Sequence, residues 1–138
     1  MNHFRVDVLT PEKVVARDVP AESLIIPTVR GQINVLPGHT HVITRLSTGV
    51  LSVFGGAEDP DRHFTVTNGV CKVVAGKVTI LSHTSEENHE LDLERAQRAK
   101  QQAEDYLQTH DNLSDEEIAM FRHKIEIAEI RIQLAKKI

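Results

Sequence analysis

The side chains with the most chemical potential in this sequence are two histidines one residue apart, His39 and His41, and a single cysteine, Cys71. An H-x-H pair can begin a zinc site, because neutral imidazoles at alternate positions of an extended chain reach the same side. A metallohydrolase needs further His or carboxylate ligands at a workable spacing, and no other histidine follows until His63. Next to the turn Pro37-Gly38, the pair reads as structural or interfacial. Cys71 alternates within a β-rich run and reads as buried; the thiolate is the reactive form, and burial suppresses it. There is no Gly-rich loop ending in a lysine and no G-x-S-x-G. Catalysis by this chain alone is not expected.

The elements that position these residues fall into two parts, residues 1–87 and 88–138. The first reads in period two with turn signals at short intervals. Phe4, Val6 and Val8 alternate with Arg5, Asp7 and Leu9, and Thr10-Pro11-Glu12-Lys13 interrupts them. A second run, Val14-Val15, ends at Asp18-Val19-Pro20, and a third, Ser23 to Ile26, stops at Pro27. Runs ending in Val35-Leu36, Phe54 and Thr67 follow. Asn68-Gly69 between two β-rich runs predicts a hairpin, since that turn needs positive φ at both central residues. Ala75-Gly76-Lys77 predicts another. Many short strands about ten residues apart imply a sandwich or flattened barrel.

From Leu91 onward there is no Gly and no Pro, and good helix formers dominate. Two helices are expected, split at Thr109-His110-Asp111-Asn112. Ser114 and Glu117 form an S-x-x-E capping box, with Leu113 and Ile118 placed as a hydrophobic staple. Asp115 and Glu116 suit the positive end of the second helix, and Lys136 and Lys137 its negative end. Ala96, Ala99, Ala103 and Tyr106 form a small-residue seam that can meet Ile118, Phe121, Ile125, Ala128, Ile132 and Ala135. A second stripe, Met120, Ile127, Ile130, Leu134 and Ile138, exceeds what one partner helix covers. Each buried Leu or Ile is worth roughly 1.5–3 kcal/mol, so the hairpin needs the β part or another protein. A gap of only a few kcal/mol between docked and undocked hairpin is expected, within reach of a ligand.

Charge narrows the partners. The 138 residues carry a formal net charge of −4, with 40% hydrophobic and 26% charged side chains, a globular composition. The first part has 8 basic and 9 acidic residues, the second 8 and 11. Neither has the basic excess that nucleic acid demands, and four Phe, one Tyr and no Trp give no stacking platform. No apolar run reaches the roughly 20 residues of a membrane span. The residues from Met1 to Asp7 lack the apolar core of a signal peptide, so export is not expected. One cysteine forms no internal disulfide and suits a reducing compartment.

Gly31-Gln32-Ile33-Asn34-Val35-Leu36-Pro37-Gly38-His39 resembles the signature loop of the epsilon subunit of bacterial F-type ATP synthases, close to G-x-L-G-x-L-P-G-H. Asp7-Val8-Leu9-Thr10-Pro11-Glu12 resembles that family's first strand and turn. Thr67-Asn68-Gly69-Val70-Cys71-Lys72-Val73 resembles its G-G-x-x-E-V segment, and Val78-Thr79-Ile80-Leu81 its V-T-V-L strand. Leu91-Asp92-Leu93-Glu94-Arg95-Ala96 is similar to the L/I-D-x-x-R-A opening of its first C-terminal helix. The ordered set spans essentially the whole chain.

The resemblance implies an α+β fold, a ten-stranded antiparallel β-sandwich followed by a two-helix antiparallel hairpin. It implies a non-catalytic rotor subunit bound to the gamma subunit and the c-ring, peripheral on the cytoplasmic face of the inner membrane. Gly31, Gln32, Pro37, Gly38 and His39 would lie at the gamma and c-ring junction. The helices would extend along gamma and restrain ATP hydrolysis by the alpha and beta subunits, with Arg122, Lys124 and Arg131 facing beta. The sequence departs from the pattern at Gln32, Asn34, Thr40-His41-Val42, Thr67-Asn68 and Lys72. In some members the hairpin binds ATP. Asp92 and Arg95 match the opening of that motif, with Arg131 further on, but Gln102 and Ile127 stand where arginines are expected. Several cations are needed to hold a phosphate, so no cofactor is expected and ATP enters only as a weak regulatory ligand. Two other readings compete: an adaptor of another multiprotein assembly, and a small metal-dependent hydrolase at His39 and His41.

Overall fold

A computed structural model describes residues 4–36, 41–57, 59–88 and 92–136, and the chain divides into two compact units, residues 1–88 and 89–138. The first unit holds ten strands: β1 (Phe4–Leu9), β2 (Val14–Ala21), β3 (Ser23–Thr28), β4 (Gly31–Val35), β5 (His41–Leu46), β6 (Gly49–Phe54), β7 (Arg62–Val66), β8 (Gly69–Val74), β9 (Lys77–Ser82) and β10 (Ser85–Glu87). Hydrogen-bonded neighbours run β10-β7-β6-β3-β5-β8-β9-β1-β2, with β4 beside β3. The path folds where Thr28 of β3 opposes Leu46 of β5, the one register pair joining those strands. Two layers result, β4-β3-β6-β7-β10 and β5-β8-β9-β1-β2. The β1–β9 pair is parallel, and the other pairs are antiparallel.

Alternation explains the core. Phe4, Val6 and Val8 of β1 turn inward while Arg5 is exposed, because successive side chains on a strand point to opposite faces. Val73, Val78 and Ile80 from the second layer join a cluster with Leu24, Ile26, Leu51, Val53, Phe64 and Val66 from the first, all fully buried. At the edge of the first layer, Arg62 closes β10 onto β7. Its Nε and Nη2 donate to the two carboxylate oxygens of Glu87 at 2.9 and 2.6 Å, and its guanidinium lies 5.5 Å from the Phe64 ring centre. Glu87 is only 6% exposed, and this two-pronged bond is what makes a buried carboxylate tolerable.

Three turn readings change. Asn68-Gly69 is a crossover rather than a hairpin, because β7 pairs with β6 and β10 while β8 pairs with β5 and β9. Neither residue takes the positive φ of that turn. Glycine is required at position 69 for a different reason: a Cβ there would collide with the Leu81 carbonyl. Pro27 lies inside β3 rather than ending it. The β3–β6 pairing stops at Ile25 opposite Ser52 and β5 takes over at Thr28, so the missing N–H interrupts no ladder. Pro20 likewise lies inside β2, an edge strand, and Asp18 takes φ 57° at its bulge. The hairpin at Ala75-Gly76 forms as expected, with φ of 49° and 79°. Strand β5 was not evident from sequence; its inward residues Val42, Thr44 and Leu46 are mixed in polarity.

The second unit is α1 (Leu93–Thr109) and α2 (Asp115–Ala135). Both bonds of the expected capping box are present: the Glu117 N–H donates to Ser114 Oγ at 3.1 Å and the Ser114 N–H to Glu117 Oε1 at 3.4 Å. The helices run antiparallel, with Tyr106 stacked on Phe121 at 4.1 Å and Lys100 Nζ 4.0 Å from Glu129. On α1 the seam differs from expectation. Ala96 and Ala103 are buried but Ala99 is exposed, and Lys100 and Leu107 are half-buried in its place. The stem of Lys100 lies along the seam while its ammonium reaches out to carboxylates.

Two substitutions of opposite sign test the turn assignments. Gly69→Ala should lower stability in urea unfolding by about 1–3 kcal/mol, the usual range for forced overpacking. Ala75→Asn should raise it by roughly 0.5–1 kcal/mol, because asparagine tolerates the left-handed conformation that alanine resists.

Candidate functional site

Among the described residues, the side chains singled out for chemistry lie apart from one another. His39 lies outside the described residues, and His41 opens β5, exposed and opposite Val74. His63 belongs to the other layer, where its Nδ1 is 2.9 Å from Ser52 Oγ. Among the described residues no three His, Cys, Asp or Glu side chains are grouped to hold a metal. Cys71 is fully buried, and desolvation pushes its thiol up to about 11. Its thiolate is therefore scarce near neutral pH.

Two of the five loop candidates fall among the described residues. Gly31, at φ 104°, and Gln32 begin β4 just after its two-residue turn from β3, both exposed. Pro37, Gly38 and His39 lie outside the described residues.

On the hairpin, the Asp92 carboxylate accepts the Arg95 N–H at 3.2 Å and caps α1. Arg95 is exposed, whereas Arg131 is half-buried, and the antiparallel course brings the two to the same end of the hairpin. Arg122 and Lys124 are exposed, Lys124 with its ammonium 4.9 Å from the Phe121 ring centre. Arg122 lines a shallow groove with Asp115, Ile118, His123 and Glu126. The second apolar stripe of α2 is less bare than expected. Leu134 is fully buried, Ile127 and Ile130 are half-buried, and Met120 is 48% exposed; Ile138 lies outside the described residues.

The bare apolar surface is instead on the outer face of the second layer. Register places Val14, Leu9, Leu81 and Val70 side by side across β2, β1, β9 and β8. Val14, Leu81 and Val70 are 48%, 49% and 40% exposed. Arg45 of β5 continues the row, and its carbonyl accepts the N–H of exposed Val29. Two residues along β5, Ile43 is 72% exposed opposite Lys72. Scattered exposed apolar residues are ordinary, but a contiguous row across four strands marks an interaction surface. Sequence reading missed it because Val70 and Leu81 look like core within their own apolar runs; only register shows that they share the outer face with Leu9 and Val14.

Further along the same face a charge cluster closes the surface. Lys77 Nζ lies 3.1 Å from Asp7 and 3.7 Å from Asp18, and the Asp18 N–H donates to Asp7 at 2.8 Å. Burial alone would raise the Asp7 carboxyl. The Asp18 N–H and Lys77, with Arg17 behind them, outweigh burial and hold it below its ordinary 3.8. Its contribution to stability is therefore present above that value and lost as the pH falls through the lowered one.

Residues 3–88 match the family model of the ATP synthase delta/epsilon chain beta-sandwich domain. The chain is 32% identical to the ATP synthase epsilon chain of Staphylococcus aureus over 136 residues, 99% of this chain and 98% of that one. It is 41% identical over 106 residues to the epsilon chain of Koribacter versatilis, covering 77% of this chain and 72% of that one. Among solved structures it is similar in fold to a chain of the Euglena gracilis mitochondrial ATP synthase, with a TM-score of 0.80 at 20% identity over 100% of this chain and 83% of that one. A chain from the Tetrahymena thermophila enzyme gives 0.61 at 16% identity, over 96% of each. A β-sandwich that matches the family model, followed by a helical hairpin within a full-length likeness to epsilon chains, places this protein in the ATP synthase delta/epsilon family, as a non-catalytic epsilon-type subunit of the rotor.

Proposed function

We propose that this chain couples the gamma subunit to the c-ring in a bacterial F-type ATP synthase and restrains ATP hydrolysis through its hairpin, working at the cytoplasmic face of the inner membrane. The observation that carries the coupling role is the outer row Val14, Leu9, Leu81 and Val70, which needs a partner surface. Gamma is the partner that the family supplies. Gly31 and Gln32, neutral and exposed at one end of the sandwich, suit a contact with the c-ring that relies on shape and hydrogen bonds. No helix among the described residues is long and apolar enough to cross a membrane, in keeping with attachment through partners.

The hairpin supports the regulatory role. Arg122 and Lys124 are exposed cations on α2 for an acidic face of the beta subunit, and Met120, one turn before Lys124, is an exposed apolar contact beside it. Arg131, being half-buried, is the weaker of the three candidates. ATP is left out of the switch. Asp92 caps the helix, and Arg95 and Arg98 are exposed cations at that end, whereas Gln102 and Ile127 supply none.

In the reconstituted complex, removing residues 88–138 should raise ATP hydrolysis several-fold while assembly persists; equal rates would remove the inhibitory role alone. The double substitution Val70→Asp with Leu81→Asp should weaken binding to epsilon-free F1 at least tenfold, since burying each such side chain is worth roughly 1.5–3 kcal/mol. Unchanged affinity in a folded variant would remove the docking assignment.

A further inference from the structure

The β unit is electrically two-sided. Its second layer with the β1–β2 turn holds six of the unit's eight basic residues, Arg5, Lys13, Arg17, Arg45, Lys72 and Lys77, but only three acids, Asp7, Glu12 and Asp18. The rest of the unit holds Arg30 and Arg62 against six acids. A near-neutral unit thus carries an excess of three positive charges on the side with the apolar row and of four negative charges elsewhere.

Not all of those cations are spoken for. Lys77 is engaged with Asp7 and Asp18, and Arg5 donates to the Asp18 carbonyl at 3.4 Å. Arg45 and Lys72 are exposed and make no ion pair among the described residues. Register sets them in a checkerboard: Ile43 faces Lys72 across β5 and β8, and Arg45 faces Val70 on the same outer face. Covering Ile43 and Val70 with a partner therefore also covers both cations. A cation removed from water at an interface opposes binding unless a carboxylate meets it.

We propose that the surface of gamma that docks on this face presents carboxylates to Arg45 and Lys72, so that acid–base pairing, and not apolar burial alone, selects the partner. This rests on the docking reading above, yet it fails separately from it. Attraction between a basic face and an acidic surface speeds encounter and weakens as salt shortens the screening length from about 10 Å at 0.1 M to about 3 Å at 1 M.

The test is binding of the full chain to epsilon-free F1 at low and high salt, for the wild type, Arg45→Ala/Lys72→Ala and Arg45→Glu/Lys72→Glu, with circular dichroism to verify folding. The expected result is a wild-type on-rate that falls about tenfold or more across the salt series. The alanine pair should lose most of that dependence, and the glutamate pair should bind at least tenfold more weakly at low salt. Tight wild-type binding that is indifferent to salt and to both double substitutions overturns the pairing and leaves the docking reading intact. Loss of binding only in Val70→Asp with Leu81→Asp, with both charge variants unaffected, has the same meaning. Absence of wild-type binding at any salt overturns both.

Discussion

The structure depends on one constraint: side chains on a strand alternate between faces, and the second layer is rich in apolar residues on both. Inward, Val6, Val8, Val73, Val78 and Ile80 fill the core. Outward, the same three strands and β2 carry Leu9, Val14, Val70 and Leu81 in one row. A strand that spends its inner face on a core and still shows an apolar outer face is built for a third layer. Within a rotor, that layer is another subunit.

Much of this was legible in the residues. The β part and the helical part, the capping box at Ser114 and Glu117, and the tight turn at Ala75-Gly76 all follow from local rules, and the structure has each of them. What escaped were features set by distant pairing. Asn68-Gly69 has hairpin chemistry, yet β7 and β8 belong to different layers, and Gly69 answers to the Leu81 carbonyl on neighbouring β9. Pro20 and Pro27 look like strand ends but sit where no ladder bond is needed. Ala99 shares the spacing of Ala96 and Ala103, but the seam passes through Lys100 instead. The docking row was invisible for the same reason, since face identity follows register.

Among the candidate residues, the structure separates roles that the motif listed together. Asp92 works as a helix cap, Arg131 is half-buried, and Arg122 and Lys124 remain accessible. The apolar stripe that made the hairpin look over-equipped is mostly covered, with Met120 as its exposed member.

The central claim is that the outer row of the second layer faces gamma. Hydroxyl-radical footprinting of the full chain, free and within assembled F1, reads this directly from side-chain oxidation. The account predicts that Leu9, Val14, Val70 and Leu81 lose most of their labelling on assembly. Undiminished labelling of those four side chains in a complex that has otherwise formed would contradict it.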